Sequence, residues 1–486
     1  MKAIITFVIF TAAFASTIFA QNATEQTPAE RRARDLVRIA STGSRAEMQK
    51  FIEANYGAEF LKIPMATHIG FLLSRYDTSR GYDVAGVQEL KPDSATLLLK
   101  NRLTGDYEAI IVIVEEKEPF KINGIGGRPP KVPTAEAKRL SEKDVARELS
   151  AFVKKLADAD VFSGTVLLAK DGKPVYEAAF GPANKDFNVP NKLDTKFNLG
   201  SMNKMFTAVS MAQLVEKGKL SYDDPLSKFI PDFPDPASAQ KIKIKHLLSH
   251  TSGLGGYFSK RWADTSRANV RTVDDMLAIA KQDEKLQFEP GSKWQYSNTG
   301  MLVLGKVIEI VSGKSYFDYI AENVTGPAGM TNTGCFDLSR VNSNLAVGYD
   351  KQFTETGVEW SNNIFQHVMR GGPQGGCYST VEDLLKFDQA LRANKLVSAD
   401  SFKTLASAKP ELNSSNYGYG FQVDTADNTV GHGGGFTGIN SNLEMYLGSG
   451  WSAIVMSNYS RGATAVIQKM ESLIKSTTAP SATAQK

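Results

Sequence analysis

Residues 197–220, FNLGSMNKMFTAVSMAQLVEKGKL, decide how the chain is read. Phe197 and Leu199 form an extended approach that ends at Gly200. From Met202 onward the apolar residues Met202, Met205, Phe206, Val209 and Ala212 recur at steps of three and four, one face of a helix. Lys217 and Gly218 supply its C-terminal stop. Ser201 therefore opens a buried helix, and Lys204 follows about one turn later on the same side. A serine hydroxyl is a weak nucleophile until a neighbour takes its proton. A lysine amine can do so when desolvation or nearby positive charge lowers its pKa. The helix start also presents free backbone N–H groups to whatever binds there. One stretch thus offers nucleophile, amine and oxyanion donor.

The tetrad alone is weak, because Ser-x-x-Lys occurs at Ser201–Lys204, Ser238–Lys241 and Ser472–Lys475. A helix N-cap beside a solvated lysine is its ordinary meaning. Ser238 sits in the proline-rich PDFPDPASAQK and Ser472 near the C-terminal end, so only Ser201 has a strand-like approach and downstream partners. Tyr296-Ser297-Asn298 follows the turn Glu289-Pro290-Gly291 and precedes the helical pattern GMLVLGKVIEIVSG. A tyrosine in that place can relay a proton, and the asparagine can orient a substrate amide or the lysine. His432-Gly433-Gly434-Gly435 opens a strand-like stretch, where glycines let a substrate backbone approach the strand edge. The Gly435 N–H is a candidate second oxyanion donor beside that of Ser201.

Outward from these motifs the chain divides. Residues 1–20, MKAIITFVIFTAAFASTIFA, have one positive charge, an apolar core too short to span a bilayer, and a small-residue end, the form of a signal peptide. Residues 27–130 read as two helices separated by Ser41-Thr42-Gly43-Ser44, then four strands, a small α+β unit. Its element order resembles the helix-plus-curved-sheet domains of the nuclear-transport-factor-2-like type. Residues 131–140 read as a linker, following the proline-rich Arg128-Pro129-Pro130. Residues 141–475 begin with a helix near Ser141–Ala157 and a hairpin turning at Asp171-Gly172. They end with strands in TVGHGGGFTG, NSNLEMYL and WSAIVMSN and a last helix from about Thr464. Strands at both ends with helices between imply a sheet built from distant segments. The polar tail 476–486 reads as disordered.

The 486 residues carry a net charge of +4, with 42% hydrophobic and 22% charged residues, an ordinary soluble-enzyme balance that gives no reason to expect nucleic acid. No G-x-S-x-G elbow and no H-E-x-x-H motif is present. Gly433–Gly438 satisfies G-x-G-x-x-G but runs into a strand rather than the helix a dinucleotide site needs, and Gly300…Gly305-Lys306 lies inside a helix pattern and lacks the phosphate-loop Ser/Thr. Among five histidines only His246 and His250 have a metal-like spacing, and their surroundings read as a helix end and turn. No metal and no cofactor is expected. The two cysteines, Cys335 and Cys377, can pair in an oxidising compartment, or remain free.

The ordered set Ser201-x-x-Lys204, Tyr296-x-Asn298, His432-x-Gly434 resembles the serine β-lactamase and penicillin-binding-protein superfamily. QLVEKGKLSYDDPLSKFIPDFP, HLLSHTSGL, FEPGSKWQYSNTG and GGCYSTVEDLLKF look like its class C-like branch. Over roughly residues 150–475 the resemblance implies a β-lactamase/transpeptidase-like α/β sandwich: an antiparallel sheet flanked by helices plus a helical subdomain. Ser201 would attack a carbonyl, Lys204 and Tyr296 would share proton transfer, and Asn298, His432, Gly434 and Gly435 would bind substrate or its oxyanion. Where β-lactamases of this branch carry Lys-Thr-Gly, this chain has His432-Gly433-Gly434. The cation expected to face a β-lactam carboxylate is absent unless His432 is protonated or an arginine substitutes, which favours an esterase or peptidase. The expected protein is a periplasmic or secreted serine hydrolase with no membrane span. Its substrate would be a small ester or D-amino-acid-like peptide, a peptidoglycan-derived one among the candidates. The alternatives are a β-lactamase or a non-catalytic binding protein on the same scaffold.

Overall fold

The structure is a computed structural model that describes residues 26–132, 139–280, 285–354 and 357–478. The leader 1–20, linker residues 133–138 and tail residues 479–486 lie outside the described residues. The described residues fall into two compact units: those of 26–72, 81–101 and 106–131 in one, those of 73–80, 102–105 and 132–478 in the other, so that helix Met65–Ser79 belongs to the first only as far as Leu72.

The first unit starts with helices Pro28–Ala40 and Arg45–Asn55, whose first turns are capped by the Thr27 and Ser44 side chains. Ala29, Ala33, Leu36, Val37 and Ala40 form the buried stripe of the first helix, spaced at helical period. A further helix, Met65–Ser79, was not legible in the sequence. Its polar and apolar residues are mixed, with no clean stripe. Strands Tyr82–Leu90, Ser94–Asn101, Tyr107–Val114 and Ile122–Arg128 follow as an antiparallel meander in sequence order. His68 is buried, its Nε2 3.0 Å from the Phe60 carbonyl and its ring against Tyr56 and Phe60.

The second unit is organised by a six-stranded antiparallel sheet. Its spatial order is Gln422–Asp424, Thr429–Phe436, Ile439–Tyr446, Trp451–Ser457, Gly164–Lys170, Lys173–Phe180. The N-terminal hairpin is thus stitched to the C-terminal strands, as strands at both ends of the region imply. Asp171 (φ 49°) and Gly172 (φ 75°) both adopt left-handed backbone, the geometry of a tight hairpin whose twist matches its strands. The central strands are covered on both faces. Leu167, Ala169, Ile454 and Met456 pack into the core that holds the Asn203–Glu216 helix. Their strand neighbours Val166, Leu168, Ala453 and Val455 pack against helices Glu142–Asp158 and Thr464–Thr478. Strict alternation along each strand therefore divides its side chains between two helical layers. Each fully buried Leu, Ile, Met or Val contributes about 1.5–3 kcal/mol relative to exposure.

The helix after Ser201 departs from expectation in two ways. Ser201 lies in a 3₁₀ turn, Gly200–Met202, and the α-helix begins at Asn203. Every residue from Asn203 to Leu214 is buried, so the helix runs through the core rather than lying on it. Its polar side chains are accordingly satisfied. Thr207 donates to the Pro373 carbonyl at 2.8 Å, Ser210 to Phe206 at 2.9 Å, and Gln213 to the carbonyls of Asn323 and Leu396 at 2.8 and 2.9 Å. Gly218 (φ 63°) ends it, as its position after Lys217 predicts.

Candidate active site

Three close approaches set the position of Ser201. Strand Phe197–Asn198 pairs with Tyr378–Ser379, and Asn198 Oδ1 accepts the Gly200 N–H at 2.9 Å, closing the turn before the serine. Gly200 (φ 51°) lies against Gly434 and Gly435, where an added Cβ would sit 2.9–3.0 Å from their backbone. A Cβ on Gly434 would overlap the Leu199 carbonyl, which also accepts from Ser441 Oγ at 2.8 Å. The glycines of the His432–Gly435 stretch thus let a sheet strand press backbone-to-backbone on the nucleophile turn.

Lys204 Nζ is 3.0 Å from Ser201 Oγ and donates to the Gln374 carbonyl at 2.5 Å. Its side chain is 0% exposed, and burial without an acidic partner holds its pKa well below the ordinary lysine value. Burial therefore favours the neutral amine, the form whose lone pair can take the serine proton. It also lies 4.9 Å from the centre of the Tyr296 ring. Tyr296 is pushed up to about 12 by burial, offset in part by its hydrogen bond with Ser201. At neutral pH Tyr296 holds its proton and can give it.

Ser201, Tyr296, Asn298 and Gly435 line one cavity of about 210 Å³. Half of its other lining residues are aromatic or aliphatic, Tyr257, Phe258, Trp262, Val368, Phe436 and Ile439, with Phe258 stacked parallel to Phe436 at 6.1 Å, and the rest include His367, whose pKa burial lowers. Among the described residues that line it none is Asp, Glu, Lys or Arg. Trp360, another aromatic, packs elsewhere, on Tyr459. The strand Thr429–Phe436 is covered by Gln422–Asp424 only as far as Gly431. Beyond it the Gly433 N–H donates to the Gln422 side chain, and by the two-residue alternation of a strand the Gly435 N–H faces the same uncovered edge.

His432 does not line this cavity. It is 2% exposed, with Nδ1 2.6 Å from the Gly433 carbonyl and Nε2 2.9 Å from the Tyr417 hydroxyl. A carbonyl can only accept, so Nδ1 carries the proton and Nε2 accepts from Tyr417. Burial pushes His432 down to about 3. It is neutral at pH 7 and so brings no cation to the site. Gly434 likewise meets Leu199 rather than the cavity.

Sequence reasoning passed over two groups here. The first is the loop Gly371–Cys377, which supplies Gln374, Gly375 and Gly376 to the cavity wall. Asn203 Nδ2 donates to the Gly372 carbonyl at 3.3 Å while Asn203 Oδ1 accepts the Cys377 N–H at 3.2 Å. A disulfide joins Cys377 to Cys335, so the free-thiol alternative does not hold. The glycine cluster beside a cysteine was the available signal. The second is His250, fully buried beside Tyr296. His246, its partner in spacing, is satisfied locally: its Nδ1 accepts the Lys243 N–H at 3.1 Å. No group of side chains able to hold a metal occurs among the described residues.

The comparisons with known proteins agree with this geometry. The chain is 33% identical over 334 residues to Penicillin-binding protein 4* of Bacillus subtilis strain 168, covering 64% of this chain and 71% of that protein. It is 32% identical over 318 residues to the putative penicillin-binding protein PbpX of the same strain, covering 65% and 75%. Among solved structures, a penicillin-binding protein from Bacillus halodurans superposes with a TM-score of 0.59 at 31% identity, over 66% of this chain and 98% of that one. The octameric penicillin-binding protein homologue from Pyrococcus abyssi gives 0.58 at 27%, over 68% and 76%. The family model described as Beta-lactamase matches residues 149–471, and the chain belongs to that family of serine hydrolases, within the β-lactamase and penicillin-binding-protein superfamily.

Proposed function

We propose that this protein is an exported hydrolase that cleaves a neutral ester or amide with an apolar acyl group through an acyl-Ser201 intermediate. The observation that carries the reading is the Lys204 amine, buried without an acidic partner and 3.0 Å from Ser201 Oγ, which itself lines a cavity with no Asp, Glu, Lys or Arg among its described lining residues. Ser201 Oγ attacks the carbonyl carbon as its proton passes to Lys204. The N–H groups of Ser201 and Gly435 hold the oxyanion. Tyr296, protonated at rest, gives its proton to the departing alkoxide or amine and regains one from Lys204, so the two groups titrate as a pair. Water then attacks the acyl carbon by the same route and releases the acid. Asn298 orients the acyl side, and the uncovered strand edge after Gly431 suits an extended peptide-like backbone. Neutral His432 and the uncharged walls disfavour a β-lactam or a peptide ending in a carboxylate. Export rests on the leader-like residues 1–20 and fits the paired cysteines. No helix among the described residues is long and apolar enough to cross a membrane.

Intact-protein mass and turnover with p-nitrophenyl butyrate, a cephalosporin and a D-Ala-D-Ala peptide, in wild type and S201A, test the reading. A serine-dependent adduct or turnover with the ester is expected, and little with the other two. Activity that survives in S201A refutes the mechanism. A preference for the cephalosporin refutes the substrate class.

A further inference from the structure

Resting on that reading of Tyr296, we propose that His250 is the positioning residue that holds Tyr296 over the Ser201–Lys204 pair. His250 engages the tyrosine segment at three points. Its backbone carbonyl accepts the Gln295 N–H at 2.9 Å, and its Nδ1 accepts the Ser297 N–H at 3.2 Å, so the residues on both sides of Tyr296 are tied to one histidine. Its imidazole packs on the Tyr296 ring itself, centroids 4.3 Å apart, and on the Tyr417 ring at 4.6 Å. Tyr417 in turn holds His432.

The backbone of His250 is set by a helix end, and its side chain carries the further observation. His250 follows helix Ile244–Leu248 in left-handed backbone (φ 60°), where the His250 N–H donates to the Leu247 carbonyl and the Thr251 N–H to the His246 carbonyl, a helix C-cap that fixes where the residue sits. Because Nδ1 accepts a backbone N–H, the ring proton lies on Nε2, and this buried Nε2 has no acceptor among the described residues. A core position free to vary would be filled more stably by an apolar side chain than by an imidazole with an orphaned donor. Nδ1 is the acceptor that the buried Ser297 N–H meets. Burial holds the His250 pKa well below the ordinary histidine value, which favours the neutral ring in which Nδ1 accepts.

The test uses the full chain and compares H250A, H250N and H250Q. Asparagine tolerates left-handed backbone and places its amide oxygen near the Nδ1 position, whereas glutamine places its amide near Nε2. The readouts are p-nitrophenyl butyrate turnover and the rate of Ser201 labelling by a fluorophosphonate, with Tm recorded for each variant. H250A should lower kcat about 30-fold with KM within threefold of wild type. H250N should recover to within about fivefold, and H250Q should stay at least tenfold below H250N. If H250A does not fold, the H250N and H250Q pair decides alone. Equal kcat in those two, or an H250A kcat within threefold of wild type, overturns the proposal. Wild type no more reactive than S201A with either reagent would instead overturn the hydrolase reading, and the role of His250 with it.

Discussion

Replacing Lys204 by methionine separates catalysis from stability at the centre of the site. Methionine keeps the length and volume of the buried stem but removes the nitrogen that lies 3.0 Å from Ser201 Oγ and donates to Gln374. A positioned general base contributes about 10²–10⁴ in rate, or about 2.7–5.5 kcal/mol of barrier. K204M should therefore lower kcat/KM for p-nitrophenyl butyrate by at least a hundredfold, mostly in kcat. The stability change is small by comparison. The Gln374 carbonyl loses its partner, at about 1–2 kcal/mol, and the apolar thioether sits well among the buried neighbours. Tm should fall by no more than a few degrees. The sign tests the protonation state: a buried unpaired cation would carry a desolvation penalty of several kcal/mol, and its removal would raise Tm clearly. Because Lys204 must be neutral to accept a proton, wild-type activity should fall as pH drops through its lowered pKa, and K204M should lack that limb. Turnover from pH 4 to 10 with parallel thermal melts measures both. K204M above a tenth of wild-type kcat/KM, or a Tm rise of 5 °C or more, would refute the reasoning.

Other perturbations test the parts around it. G434A pushes a methyl into the Leu199 carbonyl and toward Ser441 Oγ, and should destabilise by on the order of 3 kcal/mol in urea melts while abolishing fluorophosphonate labelling. Phe258, 55% exposed at the mouth of the cavity, should matter for long acyl chains. F258A should lower kcat/KM for an octanoate ester on the order of tenfold more than for an acetate ester. Glu444 is pushed up to about 7 by burial, with the Tyr446 hydroxyl donating to it at 2.9 Å. The folded state then holds its proton more tightly than the unfolded state, and that contribution is full below about pH 4.5 and lost as pH rises through 7. E444Q should accordingly raise Tm more at pH 8 than at pH 4. Reduction should add two mass units, and C335A/C377A should lose about 4 kcal/mol for the loop their 42-residue separation closes.

The sequence by itself determined what depends on local spacing. The 3.6-residue period after Ser201, the Asp171-Gly172 hairpin, the stop at Gly218, and each of the serine, tyrosine and histidine motifs are local properties of the chain. Each is read within a dozen residues. From them follow the two-layered helical packing around a sheet stitched from both ends, and the family. Tertiary structure alone decided which residues share the cavity. Burial in the folded chain lowers the pKa of Lys204, and no local pattern encodes desolvation. The same is true of His432, whose motif position suggested substrate contact but whose two nitrogens are engaged by Gly433 and Tyr417. His250 and Gln374 stayed hidden for the complementary reason. One acts through its Nδ1 and carbonyl and the other through its carbonyl, so their partners, 47 and 170 residues distant in the chain, are set by the path of the backbone in space.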